Sequence, residues 1–170
     1  MNEGSSLREK TVIAASIRWT VPPPQTLASR VRELLSGIYK DLLEPDEIES
    51  VAMAAHELLE NVVKYSADGT SSFDVDISDR DGGAFVRLRT RNRADARHLD
   101  AIRRVLERVA SASDPMLIYD ELVASSPRRE GSGLGLARIC AEGDMDVSCT
   151  LQDGHVMIVA ERRVSVQRSA

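Results

Sequence analysis

Aromatic residues are scarce in this chain: one Trp, three Tyr and two Phe make up 4% of its residues. Recognition of single-stranded nucleic acid relies on aromatic side chains interleaved with basic ones, so that class of partner is disfavoured from the outset. Positive charge is not in excess either. Lys and Arg number 22 against 27 Asp and Glu, a net charge of −5, which leaves no overall footprint for a polyanion. The two cysteines, Cys140 and Cys149, form no CxxC, and the three histidines, His56, His98 and His155, are dispersed. Neither a zinc site nor a disulfide framework is indicated, and both thiols read as buried packing groups. Long apolar runs are also missing. The first twenty residues carry Glu3, Arg8, Glu9 and Lys10 in place of a signal-peptide core, and no stretch approaches the roughly 18 apolar residues of a membrane span. A cytoplasmic protein with no membrane and no nucleic-acid partner is expected.

What is present suits one globular domain. The chain has 170 residues, 42% hydrophobic and 29% charged, without an internal repeat or low-complexity segment. A chain of this length buries about two-thirds of its unfolded surface on folding. The expected domain spans residues 11–163, between loose ends at 1–10 and 164–170. Thr11 to Val21 is rich in β-branched residues and reads as a strand, stopped by Pro22, Pro23 and Pro24. Leu27, Val31, Leu34, Ile38 and Leu42 then recur as one helical stripe.

Pro45 and Asp46 open a second helix. Its buried face reads as Ile48, Val51, Ala52, Ala55, Leu58, Leu59, Val62 and Val63, and Asp68 and Gly69 close it. Residues 72–78 and 84–90 alternate with period two about the turn residues Asp81, Gly82 and Gly83, which predicts an antiparallel hairpin with one wet face. Helices follow over 95–110, from Pro115 to about Ala124, and over 135–142. A closing hairpin, 146–151 and 156–162, turns at Asp153 and Gly154. Helices on one side of a mixed, mostly antiparallel sheet make an α+β two-layer sandwich.

Two stretches carry the chemistry. Glu57, Asn61 and Lys64 stand at i, i+4 and i+7 on the second helix, a polar row beside its apolar face. Asn61 offers a neutral oxygen suited to hydrated Mg²⁺, Glu57 a carboxylate able to orient or deprotonate a nucleophile, and Lys64 a charge for phosphate. The bland alternative is a solvated face with a Glu60 to Lys64 ion pair worth a few tenths of a kcal/mol. Downstream, Gly131, Ser132, Gly133, Leu134, Gly135 and Leu136 place three glycines at alternate positions ahead of a helix, where backbone amides can approach phosphate oxygens. The bland alternative there is a flexible loop leading into a helix.

The two stretches together resemble the GHKL superfamily of ATP-binding domains. Glu57 to Ser66 is similar to that family's N box, and Gly131 to Leu136 to its second glycine box; the resemblance covers roughly residues 11–163. The small size is most similar to the anti-sigma-factor serine kinase branch. The resemblance implies a GHKL (Bergerat) fold, Mg²⁺ on Asn61, ATP held by Asn61, Lys64 and residues 131–136, and Glu57 as catalytic base. It also implies a protein partner in a bacterial partner-switching pathway and, by analogy with that branch, homodimerisation through the first strand.

The pattern departs from the family at one place. A first glycine box, DxGxG, whose aspartate recognises adenine, should begin near Thr90, yet Thr90, Arg91, Asn92 and Arg93 stand there. Asp81, Gly82 and Gly83 lie before that strand and cannot substitute. Losing the acceptor for the exocyclic amine costs on the order of 1 to 3 kcal/mol or more. Two readings follow: an ATP-dependent serine/threonine kinase acting on a partner protein, or a pseudo-kinase of the same fold that binds its partner without nucleotide. The row Arg87, Arg89, Arg91, Arg93 and Arg97 is either a wet strand face running into a loop or a docking surface for an acidic protein.

Overall fold

The computed structural model describes residues 10–66, 70–80, 82–93, 96–125 and 133–167. Their order is β1 (Lys10–Trp19), α1 (Leu27–Tyr39), α2 (Pro45–Tyr65), β2 (Ser71–Arg80), β3 (Gly83–Arg93), α3 (Ala96–Ser111), α4 (Pro115–Ser125), α5 (Leu134–Ala141), β4 (Asp146–Gln152) and β5 (His155–Val164). The strands form one sheet in the order β1-β2-β3-β5-β4. Every pairing is antiparallel, so the sheet is not mixed as expected from sequence. The architecture is an α+β two-layer sandwich.

Period-two alternation decides which side of the sheet is dry. Phe73, Val75 and Ile77 of β2, Val86 and Leu88 of β3, and Val156, Ile158 and Ala160 of β5 all pack into the main core. Across from them lies α2, which buries Val51, Ala54, Ala55, Leu58 and Leu59 in the same cluster. Pro45 at its first turn and Asp46 and Glu47 beside it suit a helix start, because proline needs no donor there and acidic groups favour the positive end. Helix α1 lies on α2 through Ala28, Val31, Leu35 and Tyr39. That face is turned from the expected stripe: Leu34 is 51% exposed, while Leu27, Ile38 and Leu42 pack at the margin. A second, smaller cluster of Val105, Val109, Leu122 and Ala137 joins α3, α4 and α5.

The hairpins run longer than the alternation alone suggested. β3 continues through Arg93, so Thr90 to Arg93 are strand residues and not a loop: Asn92 stands opposite Ser71 on β2 and Val156 on β5. The β4–β5 turn has positive φ at both Asp153 (52°) and Gly154 (73°), as a tight two-residue hairpin demands. Helix α2 stops at Tyr65, three residues before Asp68, with Ser66 extended and its amide bonded to the Val62 carbonyl; Asp68 and Gly69 lie outside the described residues, as does Asp81.

Residues 164–167, expected to be loose, are tied down. Val166 bridges Leu43, and the Gln167 amide donates to the Leu42 carbonyl at 2.9 Å. The Gln167 side chain donates to the carbonyls of Lys40 and Leu43. Because the α1–α2 connection presents free carbonyls beside the end of β5, the chain has a template there that sequence could not foresee.

Candidate functional site

The glycine turn and the polar row of α2 meet. Gly133 caps α5 in the left-handed conformation (φ 71°), and the amide of Ala137 donates to its carbonyl in the first helical bond. A side chain at 133 would be strained, and a Cβ there would lie 2.5 Å from Cγ2 of Val105. One turn on, a Cβ at Gly135 would lie 2.5 Å from Oε2 of Glu57. These glycines thus let the start of α5 press against α3 on one side and against Glu57 on the other. Leu136 is buried in the main core and Leu134 packs on the smaller cluster, so the interleaved leucines anchor the turn. Gly131 and Ser132 lie outside the described residues.

Glu57 is largely buried and paired. Arg138 of α5 donates from Nη1 to its Oε1 at 3.1 Å, and from Nε to Glu142 at 2.6 Å. The guanidinium sits above its usual range, held there first by Glu142 and also by Glu57, against the opposing effect of burial. Glu57 therefore has one oxygen engaged and the other, Oε2, facing Gly135.

Asn61, one turn along, is half-buried, and the described residues give its side chain no hydrogen-bond partner. Lys64 does not converge with these two. It is exposed and turns along its own helix to Glu60 at 3.0 Å, with His56 Nε2 at 3.4 Å on the other oxygen. The Lys64 hydrogen bond lowers the Glu60 carboxyl, and Glu60 raises the Lys64 ammonium in return. The solvated ion pair weighed from sequence is the geometry found.

The sheet end beside α2 is polar on its dry side. Thr90 is fully buried and its hydroxyl has no partner among the described residues, a loss of about 1 to 3 kcal/mol if left dry. Asn92, 5% exposed, donates to the Arg93 carbonyl, and the hydroxyls of Ser66 and Ser71 are 2.9 Å apart. Thr90 stands where the first glycine box was expected to begin. Threonine can donate or accept one hydrogen bond there but carries no charge.

Two contributors escaped the sequence reading. Arg138 was legible as an i, i+4 partner of Glu142 but not of Glu57, 81 residues away. His98 of α3 stacks on Tyr65 of α2 with ring centroids 3.7 Å apart, closing one end of the α2 row; nothing in sequence joined those rings. Among the described residues no group of His, Cys, Asp and Glu could hold a metal, and no helix is long and apolar enough to cross a membrane.

No family model and no curated protein sequence matches the chain. A solved structure does: a chain of the SiaB–SiaC complex from Pseudomonas aeruginosa is similar in fold, with a TM-score of 0.59 and 16% identity over 91% of both chains. At that identity the likeness speaks for the fold.

Proposed function

We propose that this protein is a signalling regulator of histidine kinase-like ATPase fold that acts on a partner protein in a partner-switching pathway and holds the phosphate end of Mg-ATP between α2 and the start of α5. The observation that carries the reading is the apposition of Gly135 and Glu57. A backbone pressed within 2.5 Å of a carboxylate, measured from where a Cβ would stand, is a close approach that the lack of a side chain at 135 allows without moving Glu57. It brings the start of α5 beside a carboxylate and an amide side chain that has no hydrogen-bond partner among the described residues, a combination suited to a metal-bound phosphate.

The residues fit that ligand at one end. Asn61 supplies an oxygen for Mg²⁺, and residues 131–136, of which 133–136 are described, supply amides for phosphate. Lys64 would have to leave Glu60 to reach a phosphate. Mg-ATP, when bound, supplies a transferable phosphoryl group. Glu57 then has Oε2 free to accept the proton of a partner's serine or threonine hydroxyl, while Arg138 holds the carboxylate in place. The adenine end is the weaker fit, because Thr90 offers a neutral hydroxyl in place of an acid.

A protein partner is supported by the similar fold within a two-protein complex, and by exposed Leu117 and Val123 on α4, next to α5. The specific alternative is a pseudo-kinase that binds its partner without nucleotide. It is favoured by the Glu57–Arg138 pair, which occupies the candidate base, and by Thr90. Calorimetric titration with Mg-ATP and Mg-ADP separates the two. Saturable binding, lost in Asn61→Ala, supports the nucleotide site; a flat titration at millimolar nucleotide leaves the pseudo-kinase. If nucleotide binds, Glu57→Ala should retain affinity and lose phosphotransfer, and unchanged transfer removes Glu57 as the base.

A further inference from the structure

The arginine row of β3 is divided by the fold. On the face of the sheet away from the helices, Arg87 donates to Glu161 at 2.7 Å, and Arg80 reaches the same oxygen at 2.8 Å. Arg89 faces Asp76 at 3.8 Å. These guanidiniums have carboxylates. Arg91 has a different neighbour, the ring nitrogen Nδ1 of His155 at 3.1 Å. Arg18, at the end of β1, has no ion pair among the described residues. Register places Arg18 opposite Ser72 and Ser72 opposite Arg91, so the two arginines share one face and flank a serine on the strand between them.

Both line a cleft of about 160 Å³ at this end of the sheet, together with Trp19, Thr70, Ser72 and His155. Water occupies about 30 Å³ per molecule in the liquid, so the cleft has room for roughly five. A nucleotide does not fit, since drug-sized ligands need about 300 Å³ or more; a single tetrahedral anion does. The Trp19 side chain, one residue on from Arg18, packs against the main core on the other side of the sheet. Its indole Nε1 is buried with no hydrogen-bond partner among the described residues, so the ring is a reporter beside the cleft and not a ligand in it.

We propose that this cleft is a binding site for one phosphate group, distinct from the α2–α5 site. Two guanidinium forks two strands apart, about 9.6 Å between backbones, approach a ligand from opposite sides. A carboxylate is satisfied by one fork; a phosphate has oxygens enough for both and for the Ser72 hydroxyl. The site lies in a chain whose net charge is −5, so anion affinity here is a local property of these residues and not of the protein's field. Free phosphate and a phosphorylated side chain of another protein present the same chemistry. The inference does not rest on nucleotide binding elsewhere.

Because the chain has a single tryptophan, its indole N–H gives one resolved signal in a nitrogen-edited NMR spectrum. The ¹⁵N-labelled protein is titrated at constant ionic strength with inorganic phosphate and, separately, with a phosphoserine hexapeptide and its unphosphorylated form. A saturable shift of the Trp19 indole with phosphate or with the phosphopeptide supports the site, and the arm that saturates at lower concentration identifies the source. Arg91→Ala and Arg18→Gln should each weaken binding at least about tenfold, the effect of losing one charge-assisted hydrogen-bonding group. Both positions are exposed, and unchanged circular dichroism melting confirms that each variant folds. Shifts that stay linear to tens of millimolar in both arms, or that are the same in folded Arg91→Ala, overturn the proposal.

Discussion

Arg138 and Glu57 lie 81 residues apart, yet the guanidinium of one meets the carboxylate of the other at 3.1 Å, joining α5 to α2 across the candidate site. Their side chains are 40% and 17% exposed respectively. The pair is therefore partly screened, and its contribution is governed as much by solvent as by distance.

A double-mutant cycle with Glu57→Gln and Arg138→Ala should give a coupling energy of no more than about 1 kcal/mol, falling in 1 M salt. Urea unfolding of the four proteins measures it. A coupling well above that, insensitive to salt, would show a pair sealed from water.

The two glycines of the turn should respond differently to alanine. At Gly133 the backbone is left-handed and the obstructing atom belongs to Val105, which is branched, 7% exposed and unable to move aside. Adding about 1 to 2 kcal/mol of backbone strain to about 1 to 3 of overpacking, Gly133→Ala should cost roughly 2 to 5 kcal/mol. At Gly135 the obstruction is the far end of Glu57, which can swing away, and alanine is the better helix former. Gly135→Ala should stay within about 1 kcal/mol of the parent in denaturant, while displacing the carboxylate from Arg138.

Buried Tyr39 and half-buried Cys140 contribute to stability in a pH-dependent way on the alkaline side. Burial pushes the Cys140 thiol up to about 11 and the Tyr39 hydroxyl up to about 12, with Asp146 and Asp76 adding to the respective shifts. Both groups are neutral in the folded and unfolded chain at pH 8, so their contribution is complete there. As pH rises the unfolded chain ionises first, near 9 for the thiol and 10 for the phenol, and stability falls until the folded values are passed. Stability measured by urea unfolding should decline from about pH 9 to 12, and Cys140→Ala should flatten the lower part of that decline. At pH 8 both thiols should also react slowly with a disulfide reagent, because burial raises Cys149 as well.

The docked C-terminal segment contributes to stability through Gln167. Its side-chain amide donates to two carbonyls of the α1–α2 connection, at 3.2 and 2.9 Å. Gln167→Ala should cost about 0.5 to 1.5 kcal/mol. No change in the urea midpoint would mean that water replaces both bonds at no loss.

Local periodicity determined a good part of this protein. The period-two alternation of β2 and β3 and the turn residues between β4 and β5 dictate hairpins, because side chains on a strand must alternate and a two-residue turn needs positive φ. The apolar spacing of α2 likewise dictates a buried face, with Glu57, Asn61 and Lys64 as a row beside it. What spacing cannot say is which other element meets a face, or how a flexible ion chooses among partners. Tertiary packing turned α1 so that Leu34 faces solvent, closed the sheet's end with Val166 and Gln167, and sent Lys64 back to Glu60. It also brought Arg138 to Glu57 and gave Arg87 and Arg89 carboxylates while leaving Arg91 with a histidine. The physical reason is common to all of these: such contacts join residues far apart in the chain, and their energies are fixed by distance and burial, which exist only once the layers have packed.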